Sequence, residues 1–169
     1  MRFCNLSVFL LLAVCLLGGQ VAAQQPQAPA AAPAAPLIYG PPVSIDQAKA
    51  AAAAAIAEAR KNNWVYAVAV VEPTGELVYF EKMDGTQYAS TRIAQARARA
   101  AALFRRATKA FSDRVSQNDL SVLSLADSNW SEGGVPILVG GKVVGAIGAS
   151  GGTQPQDGQV AKAGADAVK

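Results

Sequence analysis

Between residues 45 and 61, apolar and small residues recur every three or four positions, with charged residues between them. This spacing is typical of a helix that packs one face against the rest of the protein. Ser44 and Gln47 stand three residues apart just before the apolar run, which is the spacing of a capping box. The pattern predicts a first helix over residues 45–61 that ends at Asn62.

Two pairs of strand-like runs follow along the chain. The first pair covers residues 64–71 and 76–82, and Pro73 and Gly75 lie in the turn between them. The second pair flanks Gly140-Gly141. Because tight turns of this kind join antiparallel strands, the sequence predicts two β-hairpins.

Helical patterns separate the two hairpins and follow the second one. Residues 90–107 are predicted to form a helix with an apolar stripe, and residues 108–115 a shorter one. A short strand is expected at 121–125. Thr153 and Gln156 have capping-box spacing, so a last helix is predicted from there to the end of the chain. The order helix, hairpin, helices, hairpin, helix predicts an α+β domain whose helices cover an antiparallel sheet.

The N-terminus has the organisation of a secretory signal peptide over residues 1–23. An apolar run at 8–17 precedes small residues at 21–23 that fit a cleavage site, and the run is too short to span a bilayer. A lipoprotein signal, with Cys15 as the modified residue, is the alternative. We therefore expect an exported protein, periplasmic or secreted, with no transmembrane segment in the mature chain.

The segment after the signal is rich in Pro and Ala. Such a composition cannot bury enough apolar surface to offset its ordering entropy, so residues 24–42 are expected to form a disordered linker. Residues 43–169 then form one domain, which is long enough for a sizeable core.

Composition excludes several functions. The chain has no histidine, and both cysteines, Cys4 and Cys15, lie within the predicted signal. The mature protein therefore has no disulfide and no thiol, and no metal site is predicted. The net charge of +3 is too small to indicate nucleic-acid binding.

A glycine-rich stretch raises the question of catalysis. Residues 148–152 fit the G-x-S-x-G pattern of a hydrolase, with Ser150 in the nucleophile position. A serine nucleophile needs a base, and the chain offers no histidine. Nothing in the spacing selects Lys142 or Lys162 instead. No catalytic residue is assigned.

The same stretch has a second interpretation as a binding site. The amides of Gly151, Gly152 and Thr153 lie where the last helix begins, and such a helix N-terminus can hold a carboxylate. Alternatively, the glycines only turn the chain and Ser150 bonds locally.

Three further stretches stand out in the chain: Met83-Asp84-Gly85 with the helix after it, GGVPI at 133–137 and GAIGASGGT at 145–153. Together they resemble the HbpS/GlcG haem-binding family, which also forms the C-terminal domain of PduO-type corrinoid adenosyltransferases. The resemblance covers residues 43–169. It implies a profilin-like α/β/α sandwich with a central antiparallel sheet of about five strands. It also implies homo-oligomers that bind haem (heme).

The resemblance also implies where the ligand lies. Haem or a carboxylate is expected to contact the following residues: Arg97, Ser150, Gly151, Gly152 and Thr153. Without a histidine, the candidate iron ligands are Met83, Tyr79 and Tyr88. These side chains have packing roles as their alternative.

The sequence thus predicts an exported, non-catalytic, oligomeric protein that binds haem or a related planar tetrapyrrole, for haem capture or sensing. One alternative is a small-carboxylic-acid lyase or isomerase that uses the glycine-rich helix N-terminus, with acid–base chemistry from Asp84, Glu132 or a Tyr. Another is a structural module of the cell envelope.

Overall fold

The computed structural model describes residues 36–127 and 129–169. The predicted signal peptide and residues 24–35 of the predicted linker lie outside the described residues. Five strands and four α-helices are present in the described ranges. In chain order they are β1 (Ile38–Tyr39), α1 (Ile45–Lys61), β2 (Ala67–Val71), β3 (Leu77–Lys82), α2 (Ser90–Phe104), α3 (Lys109–Ser116), β4 (Gly134–Val139), β5 (Lys142–Ser150) and α4 (Gln154–Asp166).

The strands form one sheet in which β5 is central. β5 pairs with β4 along one side, and with β2 and β1 along the other. β3 pairs with β2 and lies at the far edge. All of these pairs are antiparallel except the short β1–β5 pair, which is parallel. Both predicted hairpins, β2–β3 and β4–β5, are confirmed.

Helices cover both faces of the sheet. Val68 and Val70 of β2 point into a core shared with α1 and α4. The alternate side chains of the same strand, Ala67, Ala69 and Val71, point into a second core that contains the apolar face of α2. This alternation places a sheet between two helical layers. The α+β class and the three-layer α/β/α arrangement are confirmed.

The layer on the α2 side is thin because its residues are small. A Cβ added to Gly148 of β5 would meet the carbonyl oxygen of Ala94 and the amide nitrogen of Ala98. The backbone of α2 therefore lies directly on β5. The small side chains on this face of α2 allow the close approach.

Several predicted bounds differ from the structure: β2 begins at Ala67 and α4 ends at Asp166. Two further differences have a local cause. The strand expected at 121–125 is a 3-10 helix, Leu120–Ser124, because the Asp119 side chain accepts a hydrogen bond from the Ser121 amide and turns the chain. The helix expected to reach residue 107 ends at Phe104, because Arg105 adopts a left-handed conformation with φ 50°.

Strand β1 lies within the segment that the sequence analysis assigned to the linker. The Tyr39 hydroxyl donates hydrogen bonds to the carbonyls of Ala102 and Leu103 at the end of α2. The amides of Gly40 and Val43 donate to carbonyls of β5. These bonds hold the chain against the domain from β1 onward. No helix in the described ranges is long and apolar enough to cross a membrane.

Candidate functional site

A buried ion pair joins the two helical layers near the end of β5. The Nη1 atom of Arg97 in α2 lies 2.6 Å from Oδ2 of Asp157 in α4, and the two side chains are 6% and 2% exposed. Arg97 Nη1 also donates to the Ala149 carbonyl, and its Nε donates to Ser131 Oγ. These hydrogen bonds compensate the burial of the guanidinium.

The same carboxylate organises the start of α4. Asp157 Oδ1 accepts hydrogen bonds from the amides of Gly151 and Gly152, at 3.1 and 3.0 Å. Thr153 caps the helix together with Gln156 as predicted. A carboxylate in the first turn is favoured by the helix dipole. Of the amides that were predicted to face a ligand carboxylate, those of Gly151 and Gly152 face Asp157, and that of Thr153 donates to Gln156 Oε1.

Ser150 lies inside the domain. It is 3% exposed, and its hydroxyl donates to Ser90 Oγ on α2 at 3.1 Å. Ser150 lies in the chain between Ala149 and Gly151, which bond to Arg97 and Asp157. We call the hydrogen-bonded region formed by Arg97, Asp157 and the glycine amides the Arg97–Asp157 network. Contact of these residues with haem stays a prediction.

Tyr66 borders this network. It is fully buried, and its hydroxyl has no hydrogen-bond partner among the described residues. Burial, followed by the negative charge of Asp157, raises the pKa of Tyr66. A Cβ added to Gly152 would come within 2.6 Å of this hydroxyl. The backbone of Gly152 therefore packs directly against the Tyr66 hydroxyl.

The candidate iron ligands lie near strand β3. Met83 and Tyr79 are partly buried against the core shared with α1 and α4. The Tyr79 hydroxyl donates to Glu81 at 3.4 Å. Tyr88 is 92% exposed, and Lys82 Nζ lies 5.1 Å from its ring centroid. The packing roles considered for Met83 and Tyr79 are therefore present in the structure.

A groove of about 770 Å³ lies along the opposite edge of the sheet, and we call it the β4 groove. It is bounded by β4, by α4 and by the turn between α2 and α3. Its apolar lining residues are Leu37, Ala107, Val135, Pro136, Leu138, Ala165 and Val168. Its charged lining residues are Arg105, Arg106, Lys109, Lys162, Glu132 and Asp166.

Thr108 positions the basic side of this groove. Its amide donates to the Gly134 carbonyl, and its hydroxyl accepts from the Gly134 amide, both at 2.9 Å. Thr108 is fully buried. These two bonds attach the turn between α2 and α3 to β4. Because Arg106 and Lys109 flank Thr108 in the chain, the bonds also place both cations beside the groove.

The four basic side chains of the groove differ in how they are held. Arg105 donates to the Leu37 carbonyl, and its guanidinium lies 5.1 Å from the Tyr39 ring centroid. Lys109 and Lys162 form ion pairs within α3 and α4 that are more than half exposed on the lysine side. Such exposed pairs contribute little stability, so both lysines can exchange their partners for a ligand.

Gly133 separates the β4 groove from the Arg97–Asp157 network. It has φ 132°, and a Cβ added there would come within 2.9 Å of Arg97 Nη1 and of Asp157 Cβ. A side chain would collide with the ion pair, so only glycine fits. The GGVPI stretch thus forms a thin wall with the network on one side and the groove on the other.

Comparison with known proteins identifies the family. Residues 43–166 match the model of a family described as haem degrading protein HbpS-like.

The chain belongs to this HbpS-like family.

Relatives and solved structures agree with this assignment. GlcG of Escherichia coli K12 is 41% identical over 108 residues, which cover 64% of this chain and 81% of GlcG. A double mutant of HbpS from Streptomyces reticuli has a TM-score of 0.70 and 28% identity, over 85% of this chain and 98% of HbpS. A PduOC–haem complex has a TM-score of 0.68 at 23% identity, over 76% of this chain and 96% of PduOC, and shares the fold.

Sequence reasoning missed the β4 groove of this HbpS-like chain. Its lining comes from segments that are far apart in the sequence, so no local pattern marks it. No sequence pattern marks Thr108, because its role depends on hydrogen bonds to Gly134, which is distant in the chain. A pattern does mark Asp157, since an acidic residue in the first turn of a helix commonly accepts hydrogen bonds from the amides at the helix start.

Proposed function

We propose that this HbpS-like protein binds haem in the β4 groove and serves in haem capture or sensing. The observation that carries the proposal is the groove's combination of an apolar lining with four basic and two acidic side chains. A porphyrin is an apolar plate whose two propionate carboxylates lie along one edge. Basic side chains can form ion pairs with those carboxylates. The groove has two more basic than acidic side chains, which matches the two negative charges of the propionates.

The groove fits the porphyrin in size. Its volume of about 770 Å³ lies within the range of roughly 300–1,000 Å³ that is usual for ligand and cofactor pockets. The family description, which concerns haem, and the PduOC–haem complex of the same fold support haem as the ligand.

Among its described lining residues, the groove contains no side chain that commonly coordinates haem iron. The chain has no histidine, and the described lining residues include no Cys, Met or Tyr. The side chains therefore suit the ring and its carboxylates, and they supply none of the usual protein ligands of haem iron. Bound haem would bring a redox-active iron to the groove.

The lyase alternative required a helix N-terminus that is open to a substrate carboxylate. Here the amides of Gly151 and Gly152 bond to Asp157. No observation on the described residues favours a small-acid substrate, and we propose none.

A haemin titration tests the proposal. We expect a saturable Soret change at about one haem per chain for the wild type. Arg106→Glu and Lys162→Glu each reverse a charge beside the groove and should weaken binding by about tenfold, which corresponds to about 1.4 kcal/mol. Lys49→Glu, an exposed charge reversal on α1 away from the groove, is the matched control. Equal haemin affinity in all four proteins would overturn the assigned site.

The same complex separates binding from degradation. A reductant is added to the haemin-loaded protein in air, and the Soret band is followed. A stable band indicates a carrier or sensor, as we propose. Loss of the band in the wild type, absent from free haemin under the same conditions, would instead assign haem breakdown.

We further propose that the protein is exported and forms homo-oligomers. Export is supported by the signal-peptide pattern of residues 1–23, and oligomers by the family resemblance. Cell fractionation with mass spectrometry of the N-terminus should find a periplasmic or secreted chain that begins near Gln24. Light scattering should give a mass that is a multiple of the chain's. An intact N-terminus in the cytoplasm, or a monomer, would contradict the respective proposal.

A further inference from the structure

The β4 groove is lined by apolar side chains and by charged side chains, and neither class commonly coordinates haem iron. Its apolar residues can cover a flat ring, and its cations can pair with carboxylates. We infer that the groove is a site for dicarboxylate tetrapyrroles as a class, and that it binds metal-free porphyrin as well as haem. This inference rests on the proposed function and names the ligand class of the same site.

The basic side chains come from two separate elements. Arg106 and Lys109 are held beside the groove by the Thr108–Gly134 bonds, and Lys162 lies on α4. Arg106 is exposed, and its guanidinium donates only to the carbonyl of Phe104 among the described residues. It can therefore turn to a ligand carboxylate without breaking an ion pair.

The two lysines are unsuited to the iron for a physical reason. A lysine must lose its proton before its nitrogen can bind a metal. Lys109 Nζ lies 2.6 Å from Asp113 and Lys162 Nζ lies 2.6 Å from Asp166. The hydrogen bond to Asp113 raises the pKa of Lys109. Each lysine thus already holds a carboxylate at hydrogen-bond distance, as it would hold a propionate.

The residues that could bind iron lie elsewhere. Met83, Tyr79 and Tyr88 are absent from the described lining of the groove. They lie near β3, which is separated from β4 by β5 and β2. Haem held in the groove therefore gains no bond from them, and removal of the iron should cost little affinity.

Parallel titrations with haemin and protoporphyrin IX test this inference on the purified protein. Tryptophan quenching reports both ligands, and porphyrin emission reports the metal-free one. We expect the two dissociation constants to agree within about threefold. Arg106→Glu and Lys162→Glu should weaken both ligands by the same factor, and Lys49→Glu should change neither.

Two results would overturn the inference. Haemin binding with protoporphyrin IX weaker by about tenfold or more would show that the iron is recognised, and the proposed haem function would still stand. A loss of haemin affinity in Met83→Leu, Tyr79→Phe or Tyr88→Phe would place an iron ligand near β3. Binding of neither ligand would instead remove the proposed function itself.

Discussion

Arg97 and Asp157 form an ion pair at 2.6 Å that joins helices from opposite faces of the sheet. The pair also bonds to the end of β5 and to the first amides of α4. Gly133 lies against it and presents its other side to the β4 groove. The glycine-rich motifs of this HbpS-like chain therefore surround a buried charge network, and the proposed haem site lies on the other side of the Gly133 wall.

Asp157→Asn should be strongly destabilising. The change leaves the Arg97 guanidinium buried without its counter-charge, which typically costs about 3–5 kcal/mol. Urea unfolding measures the loss. Asp113→Asn is the matched control, because its pair with Lys109 is about half exposed and should change stability by about 0.5 kcal/mol or less. Similar losses in both variants would show that the buried pair has no special role.

Thr108→Val tests how the basic side of the groove is held. Valine keeps the shape of threonine but cannot accept the hydrogen bond from the Gly134 amide, so we expect a loss of about 1–3 kcal/mol. Faster hydrogen exchange of the Gly134 amide and weaker haemin binding should accompany it. Thr74→Val, which alters an exposed hydroxyl bonded to Glu72, should change none of the three. An unchanged Gly134 exchange rate would refute the assigned role.

Tyr66→Phe should change the response of stability to alkaline pH. Burial raises the pKa of Tyr66 in the folded protein, so the fold favours the protonated hydroxyl. That stability is present below the unfolded pKa of about 10 and is lost as pH rises above it, by about 1.4 kcal/mol per pH unit.

Unfolding of the wild type and Tyr66→Phe between about pH 8 and pH 11 measures this difference. Near pH 8 the variant should be as stable as the wild type or slightly more so, because it removes a buried hydroxyl that has no partner among the described residues. Above about pH 10 the wild type should lose stability relative to the variant. Parallel curves would contradict the prediction.

Gly148→Ala tests the contact between α2 and the sheet. The new Cβ would meet the Ala94 carbonyl, so α2 must move away from β5, at a cost of about 3 kcal/mol. Thermal unfolding checks the loss. Gly141→Asn is the control, because Gly141 lies in an open turn with φ 75° that asparagine tolerates. A Gly148→Ala protein as stable as this control would show that the layers can separate freely.

Periodicity predicted the regular elements because each of them is encoded locally. The alanine stripe of 45–61 and the turn residues Gly140-Gly141 are sufficient to predict α1 and the β4–β5 hairpin. Strand β1 escaped prediction because two residues are too few for a pattern, and tertiary hydrogen bonds from Tyr39 hold it. No local pattern predicted the β4 groove, because a groove depends on packing between distant segments.

The most direct test of the central claim is to locate haem on the protein by NMR. Ferric haem broadens the signals of nearby amides, so a titration of ¹⁵N-labelled protein with haemin maps the site. The account predicts selective loss of the amide signals of Val135, Leu138, Lys162 and Ala165, while those of β3 and of Tyr88 persist. Broadening centred on Met83 and Tyr88, with the groove signals unchanged, would contradict it.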